Sequence, residues 1–170
     1  MYRYICVALI GLCCLSCSSA PEPTINYYIL PISAKVENSL KSTNQPDLGK
    51  VTIVLAPLLQ KENLQIMQGD AQVVFAHYHR WAQPLDYMLK QVFEQQLKPL
   101  NNFKNVTIQF EKLHGSTAGV VSLQGYFVIE QQASQAFLIE KKQSQAGYPA
   151  MLEAMTEGLL SLSQKIASVM

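Results

Sequence analysis

The chain has 170 residues, 49% of them apolar and 15% charged, with a formal net charge of +1. That length allows one domain or two very small ones, the apolar share excludes wholesale disorder, and near-zero charge leaves no electrostatic footprint for nucleic acid. The four cysteines, Cys6, Cys13, Cys14 and Cys17, all precede Ser18, which excludes a disulfide-stapled fold, a zinc ribbon or a thioredoxin-like site from the rest.

Met1 to Leu15 reads as an export signal. Arg3 supplies its positive charge, and Ile5 to Leu15 is an uncharged apolar run of eleven residues. Crossing a bilayer as a helix takes roughly twenty apolar residues, so the run suits a cleaved signal and not a permanent anchor. Leu15-Ser16-Cys17 directly after it resembles a bacterial lipoprotein signal. In that class the cysteine is acylated on sulfur, the peptide is cut before it, and the new amine is acylated as well. Cys14 fits less well as the acceptor, and an ordinary secretory signal cut near Ala20 is the alternative. Residues 1–16 are thus the expected signal peptide, and 17–25 the lipidated cysteine with a flexible, proline-bearing tether. Ser18 after the acylated cysteine resembles an outer-membrane sorting signal. Such processing removes Arg3 and leaves twelve basic and twelve acidic side chains, a net charge of zero.

Residues 26–170 are expected to form a single domain. Asn26 to Leu30 is a short strand pattern stopped by Pro31, and residues 32–49 read as an excursion loop. Val51 to Ala56 is nearly continuous and β-branched, which predicts a strand buried on both faces and ended by Pro57. Ala71 to Tyr78 is a further strand. After Pro84, the residues Leu85, Met88, Leu89, Val92, Phe93 and Leu97 share one helical face, and Pro99 closes that helix. Val106 to Glu111, Val121 to Glu130 and Ala136 to Lys141 alternate as an antiparallel meander. From about Pro149 to Ser168 the series Leu152, Met155, Leu159, Leu162, Ile166 and Val169 predicts a second helix, laid on the sheet. The sum is an α+β fold: a mostly antiparallel sheet with two amphipathic helices packed on one face.

Chemistry-bearing motifs are few. No phosphate-cradling glycine loop is present. Gly115-Ser116-Thr117-Ala118-Gly119 misplaces its glycine for a nucleophile elbow and joins two strands, so a turn is the better reading. His77 and His79 fall on one strand face, where a metal would need a third ligand such as Glu111 or His114. Without a second clustered motif they read as ordinary strand histidines. Glu153 and Glu157 are one turn apart on a solvated helix face. No metal, no cofactor and no enzymatic activity are expected.

Arg80-Trp81-Ala82-Gln83-Pro84-Leu85 holds the only tryptophan, immediately before a helix. Trp81 serves there either as a staple of the helix start or, with Arg80 and Pro84, as a partner interface. Together with Asn26-Tyr27-Tyr28-Ile29-Leu30-Pro31 and the Val51 to Pro57 strand, this segment is similar to the ABC-type transport auxiliary lipoprotein family (PqiC/YmbA-like). One departure is Pro57-Leu58-Leu59-Gln60-Lys61-Glu62, where the family tends to carry Pro-x-Tyr-Leu-x-Arg. The resemblance implies a lipoprotein anchored to the outer membrane and facing the periplasm. It would be a non-enzymatic accessory of a lipid transporter with an MCE-domain protein, supporting envelope integrity, with a homo-oligomeric ring as a further implied partner arrangement. A lipoprotein that assists assembly of an outer-membrane β-barrel is the competing expectation.

Overall fold

Where apolar residues alternate the chain forms strands, and where they recur every three or four it forms helices. The computed structural model describes residues 23–31, 49–100 and 103–170. The expected export signal, Cys17, tether residues 18–22 and most of the 32–49 excursion lie outside the described residues. In chain order come β1 (Asn26–Tyr28), β2 (Val51–Leu55), a 3-10 turn (Pro57–Gln60), β3 (Asn63–Gln68), β4 (Gln72–Trp81) and α1 (Leu85–Leu97). Then follow β5 (Val106–Ser116), β6 (Val120–Ile129), β7 (Gln135–Lys142) and α2 (Tyr148–Ala167).

All seven strands join one sheet in the order β1-β4-β3-β5-β6-β7, with β2 also paired to β5. The β5-β6-β7 meander is antiparallel as expected. The sheet as a whole is not mostly antiparallel but mixed. β1 runs parallel to β4, and β2 and β3 both run parallel to β5. The physical reason is connectivity: after β2 the chain makes the β3-β4 hairpin and α1 before it returns at β5, and such crossovers yield parallel neighbours. Alternation of side chains tells which face a residue occupies, not which way its partner runs.

β2 also departs from expectation. Val51 is buried, but Thr52 and Val54 are exposed, because the helices cover only one face of the sheet. On that covered face Val106, Ile108 and Leu113 of β5 pair with Ile129, Phe127 and Leu123 of β6, and Phe110 is buried opposite Gly125. Phe93 of α1 lies 6.1 Å from Phe110, and Phe137 of β7 meets the same ring edge-on at 5.5 Å. Each such side chain, fully buried, contributes about 1.5–3 kcal/mol relative to exposure. Pro84 sits just before the first helical residue rather than inside it, and its carbonyl accepts from Met88 N–H at 3.2 Å. On α2 the predicted seam is buried from Leu152 to Ile166, but Ala150, Met151, Ala154, Gly158 and Ser163 are buried as well. That wider apolar face is what a helix needs when it lies on a sheet and beside a second helix.

Two positions set constraints on this packing. Gly125 stands opposite Phe110, and a Cβ there would collide with the backbone carbonyl of Gln109 and press on the Phe137 ring. His114 is only 6% exposed. Its Nδ1–H donates to the Gly115 carbonyl at 3.2 Å, while Nε2 is buried with no partner among the described residues. Such surroundings favour the neutral ring over the charged one. Burial, and secondarily the Lys112 charge, hold its pKa below the ordinary 6.5 although the Gly115 hydrogen bond opposes them.

Gly125→Ala should lower stability by about 3 kcal/mol, since backbone and not a flexible tip must move; a denaturant midpoint equal to wild type would contradict this. The depressed His114 pKa fixes a sign. Above pH 6.5 the ring is neutral in both states and costs nothing, whereas below it the unfolded chain takes up a proton that the fold resists. Stability should fall as pH drops through 6.5, and His114→Gln should lose less over that range. Superposable stability-pH curves for the two proteins would refute it.

Candidate functional site

The site arises where the sheet is interrupted. The ladder between β2 and β5 ends with Ala56 N–H donating to the Phe110 carbonyl at 2.9 Å. The Ala56 carbonyl then accepts from Leu59 N–H at 2.9 Å and not from β5, and Pro57, with its fixed φ, opens the 3-10 turn. Leu55 pairs with Phe110 and Ile66 with Gly115, so eleven steps on one strand face five on the other. Six residues must leave the sheet. They do so through the 3-10 turn, which is pinned by buried Leu59, by Gln60 Nε2 donating to the Leu55 carbonyl at 3.2 Å, and by Gln65 Nε2 donating to the Leu58 carbonyl at 2.7 Å.

Opposite this turn runs the end of β4. Trp81 N–H donates to the Glu62 carbonyl at 2.7 Å, and Ala82 N–H to the Tyr28 carbonyl at 2.8 Å. Between the two walls lies an open groove of about 810 Å³. Ile53, Leu55 and Leu59 form one side; Trp81, Pro84 and Leu85 form the other, and Tyr27, Lys61, Glu62 and Asp86 also border it. A smaller hollow of about 280 Å³ adjoins, lined by Ile29, Leu30, Pro31, Met88 and Gln91, and sharing Gln83 with the groove.

The three residues singled out in the sequence thus fall together, with different duties. Trp81 is 7% exposed and belongs to the core, while one part of it faces the groove. Pro84 is exposed on the groove wall. Arg80 does not line the groove; it reaches Glu62 at 3.8 Å, an ion pair so exposed that it adds little to stability. Its Nε is buried without an acceptor among the described residues.

A second cluster was not anticipated. Tyr28 Oη and His79 Nδ1 lie 2.9 Å apart, and the His79 ring stacks on Tyr148 at 3.7 Å. These contacts tie β1, β4 and the first residue of α2 together. Burial raises the Tyr148 hydroxyl above its ordinary 10.0, helped by the neighbouring Tyr28. The only sequence signal for this cluster was the polar alternation His77, His79 within a strand. His77 itself is exposed, and neither Glu111 nor His114 completes a metal-binding group with the pair; among the described residues no three metal-ligating side chains cluster. Ser116 Oγ accepts from Val120 N–H at 3.1 Å, which makes it a turn residue. Glu153 and Glu157 are exposed, as their spacing predicted. The groove itself was missed because β3, with its sequence Asn-Leu-Gln-Ile-Met-Gln, carries no clean alternation.

Trp81→Ala should destabilise the fold by about 3–5 kcal/mol, the usual loss for emptying a large aromatic site, while Trp81→Phe retains most of it. A thermal midpoint unchanged in Trp81→Ala would show that the indole contributes to binding alone.

No helix among the described residues is long and apolar enough to cross a membrane. A solved structure of an uncharacterized protein shares 24% identity, with a TM-score of 0.68 over 85% of this chain and 97% of that one. A Xanthomonas campestris protein assigned to the family model DUF330 shares 14%, with a TM-score of 0.56 over 85% and 90%. At such identities both show the fold alone. No curated protein matches the chain. The family described as ABC-type transport auxiliary lipoprotein component matches residues 28–124, which takes in β2 to β5 and every groove residue except Tyr27. With more than half of its length matched, including both walls of the groove, the chain belongs to the ABC-type transport auxiliary lipoprotein family.

Proposed function

We propose that this protein is a lipoprotein acylated on Cys17, anchored to the outer membrane and facing the periplasm. There it serves an ABC-type lipid transporter as a non-enzymatic docking subunit for an MCE-domain protein, in several copies arranged as a ring, and so supports envelope integrity. The observation that carries the reading is the family match, which spans the interrupted edge of the sheet. The groove supports it too. It is open, bordered by apolar walls and by charges of both signs, which suits a protein surface better than a small enclosed substrate. Three acyl chains on Cys17 would anchor the domain in effect irreversibly, at about 0.8 kcal/mol per buried methylene.

Affinity purification of the full-length lipidated protein from envelopes should recover an MCE-domain protein with its ATPase and permease. Deletion of the gene should sensitise cells to membrane-disrupting agents. Recovery of an outer-membrane β-barrel in place of the MCE protein, with an intact envelope on deletion, would overturn the proposal.

A further inference from the structure

Strand β1 inverts the usual economy of burial. Tyr28 and Leu30 point inward, whereas Ile25, Tyr27 and Ile29 are 38%, 61% and 62% exposed on the opposite side. An isolated exposed aliphatic residue is ordinary, but three large apolar side chains in one row are not. Leu138 on β7 is as exposed, at 65%, yet its cross-strand partner is the polar Gln124 and its neighbour along the same face is Glu140. The row is flanked by the two hollows that share Gln83, Tyr27 lining one and Ile29 the other.

We propose that the row Ile25, Tyr27 and Ile29 seats the domain on the surface of the lipid bilayer. The inference rests on the acylation of Cys17 and deepens that reading. Ile25 lies eight residue-to-residue steps along the chain from Cys17. Even fully extended they span only about 27 Å, at about 3.4 Å per residue, so this row is tethered within reach of the interface by its own anchor. No other exposed apolar group of the described residues is held so near by the chain. The chemistry fits as well: a tyrosine between two isoleucines offers apolar bodies with one polar tip, the kind of group that settles at the headgroup boundary. Beside it Lys61 and Arg80 are balanced by Glu62 and Asp86, so the attraction is apolar and independent of anionic lipid.

The processed chain, with Cys17 acylated, has no other cysteine after Ser18, so single thiols can be introduced cleanly. Full-length Ile25→Cys, Tyr27→Cys, Ile29→Cys and Leu138→Cys would each be labelled with a polarity-sensitive fluorophore. They would then be reconstituted in phosphatidylethanolamine–phosphatidylglycerol vesicles, and in pure phosphatidylcholine vesicles, with doxyl-lipid quenchers. Probes at 25, 27 and 29 should lose on the order of half their emission to shallow quenchers in both lipids, since interfacial apolar groups sit about 5–10 Å deep. The probe at 138 should lose almost none. If the proteins float with the vesicles but all four probes are quenched alike, or none is, the seat is refuted and the row belongs to a protein partner. If the proteins do not float at all, the acyl anchor fails, and this proposal fails with it.

Discussion

The edge of β5 is the constraint from which the rest follows. A strand edge offers one hydrogen-bonding row, and here two partners share it: β2 along Val106 to Phe110, and β3 at Gly115 and Ser116. Because both partners come from one continuous stretch of chain, the surplus between them has to leave the sheet. Pro57 opens the turn at the point of departure, where the Ala56 carbonyl leaves β5 for Leu59 N–H, and buried Leu59 sets how closely the turn returns to the core. The groove is therefore a consequence of backbone accounting before any side chain lines it.

The core and the groove draw on the same elements from opposite directions. α1 starts at Leu85 because Pro84 and the end of β4 deliver it there, and its apolar face then covers β2. Trp81 stands at the junction, buried against the core while facing the groove. Loss of the indole would disturb the groove and the fold together. The departure from the family pattern at Pro57 to Glu62 falls on this wall. Leu59 and Gln60 take over there as filler of the core and as partner of the free Leu55 carbonyl.

Much of this fold was legible from residue pattern. The β5-β6-β7 meander and both helices follow directly from alternation and from three-four spacing, since those periods are dictated by local geometry. What local geometry does not encode is direction, so the parallel pairing of β1, β2 and β3 was invisible, and with it the mixed character of the sheet. β2 misled for a related reason: an unbroken β-branched run implies two covered faces, yet Thr52 and Val54 face out. At the site, Trp81 and Pro84 were legible as an oddity of composition before a helix. Their common groove was not, because it depends on a six-residue mismatch between partners about fifty positions apart. The His79-Tyr148 stack was hidden for the same reason of sequence distance.

The central claim is that this groove meets the transporter. Gln83 is exposed and borders both hollows, so a photo-crosslinking residue placed there in the full-length lipidated protein, in intact cells, probes the surface at its middle. The account predicts a crosslink from position 83 to the MCE-domain protein, and none from a control at position 138 on the far edge of the sheet. A crosslink to that partner only from position 138, or from position 83 only to an outer-membrane β-barrel, would contradict it.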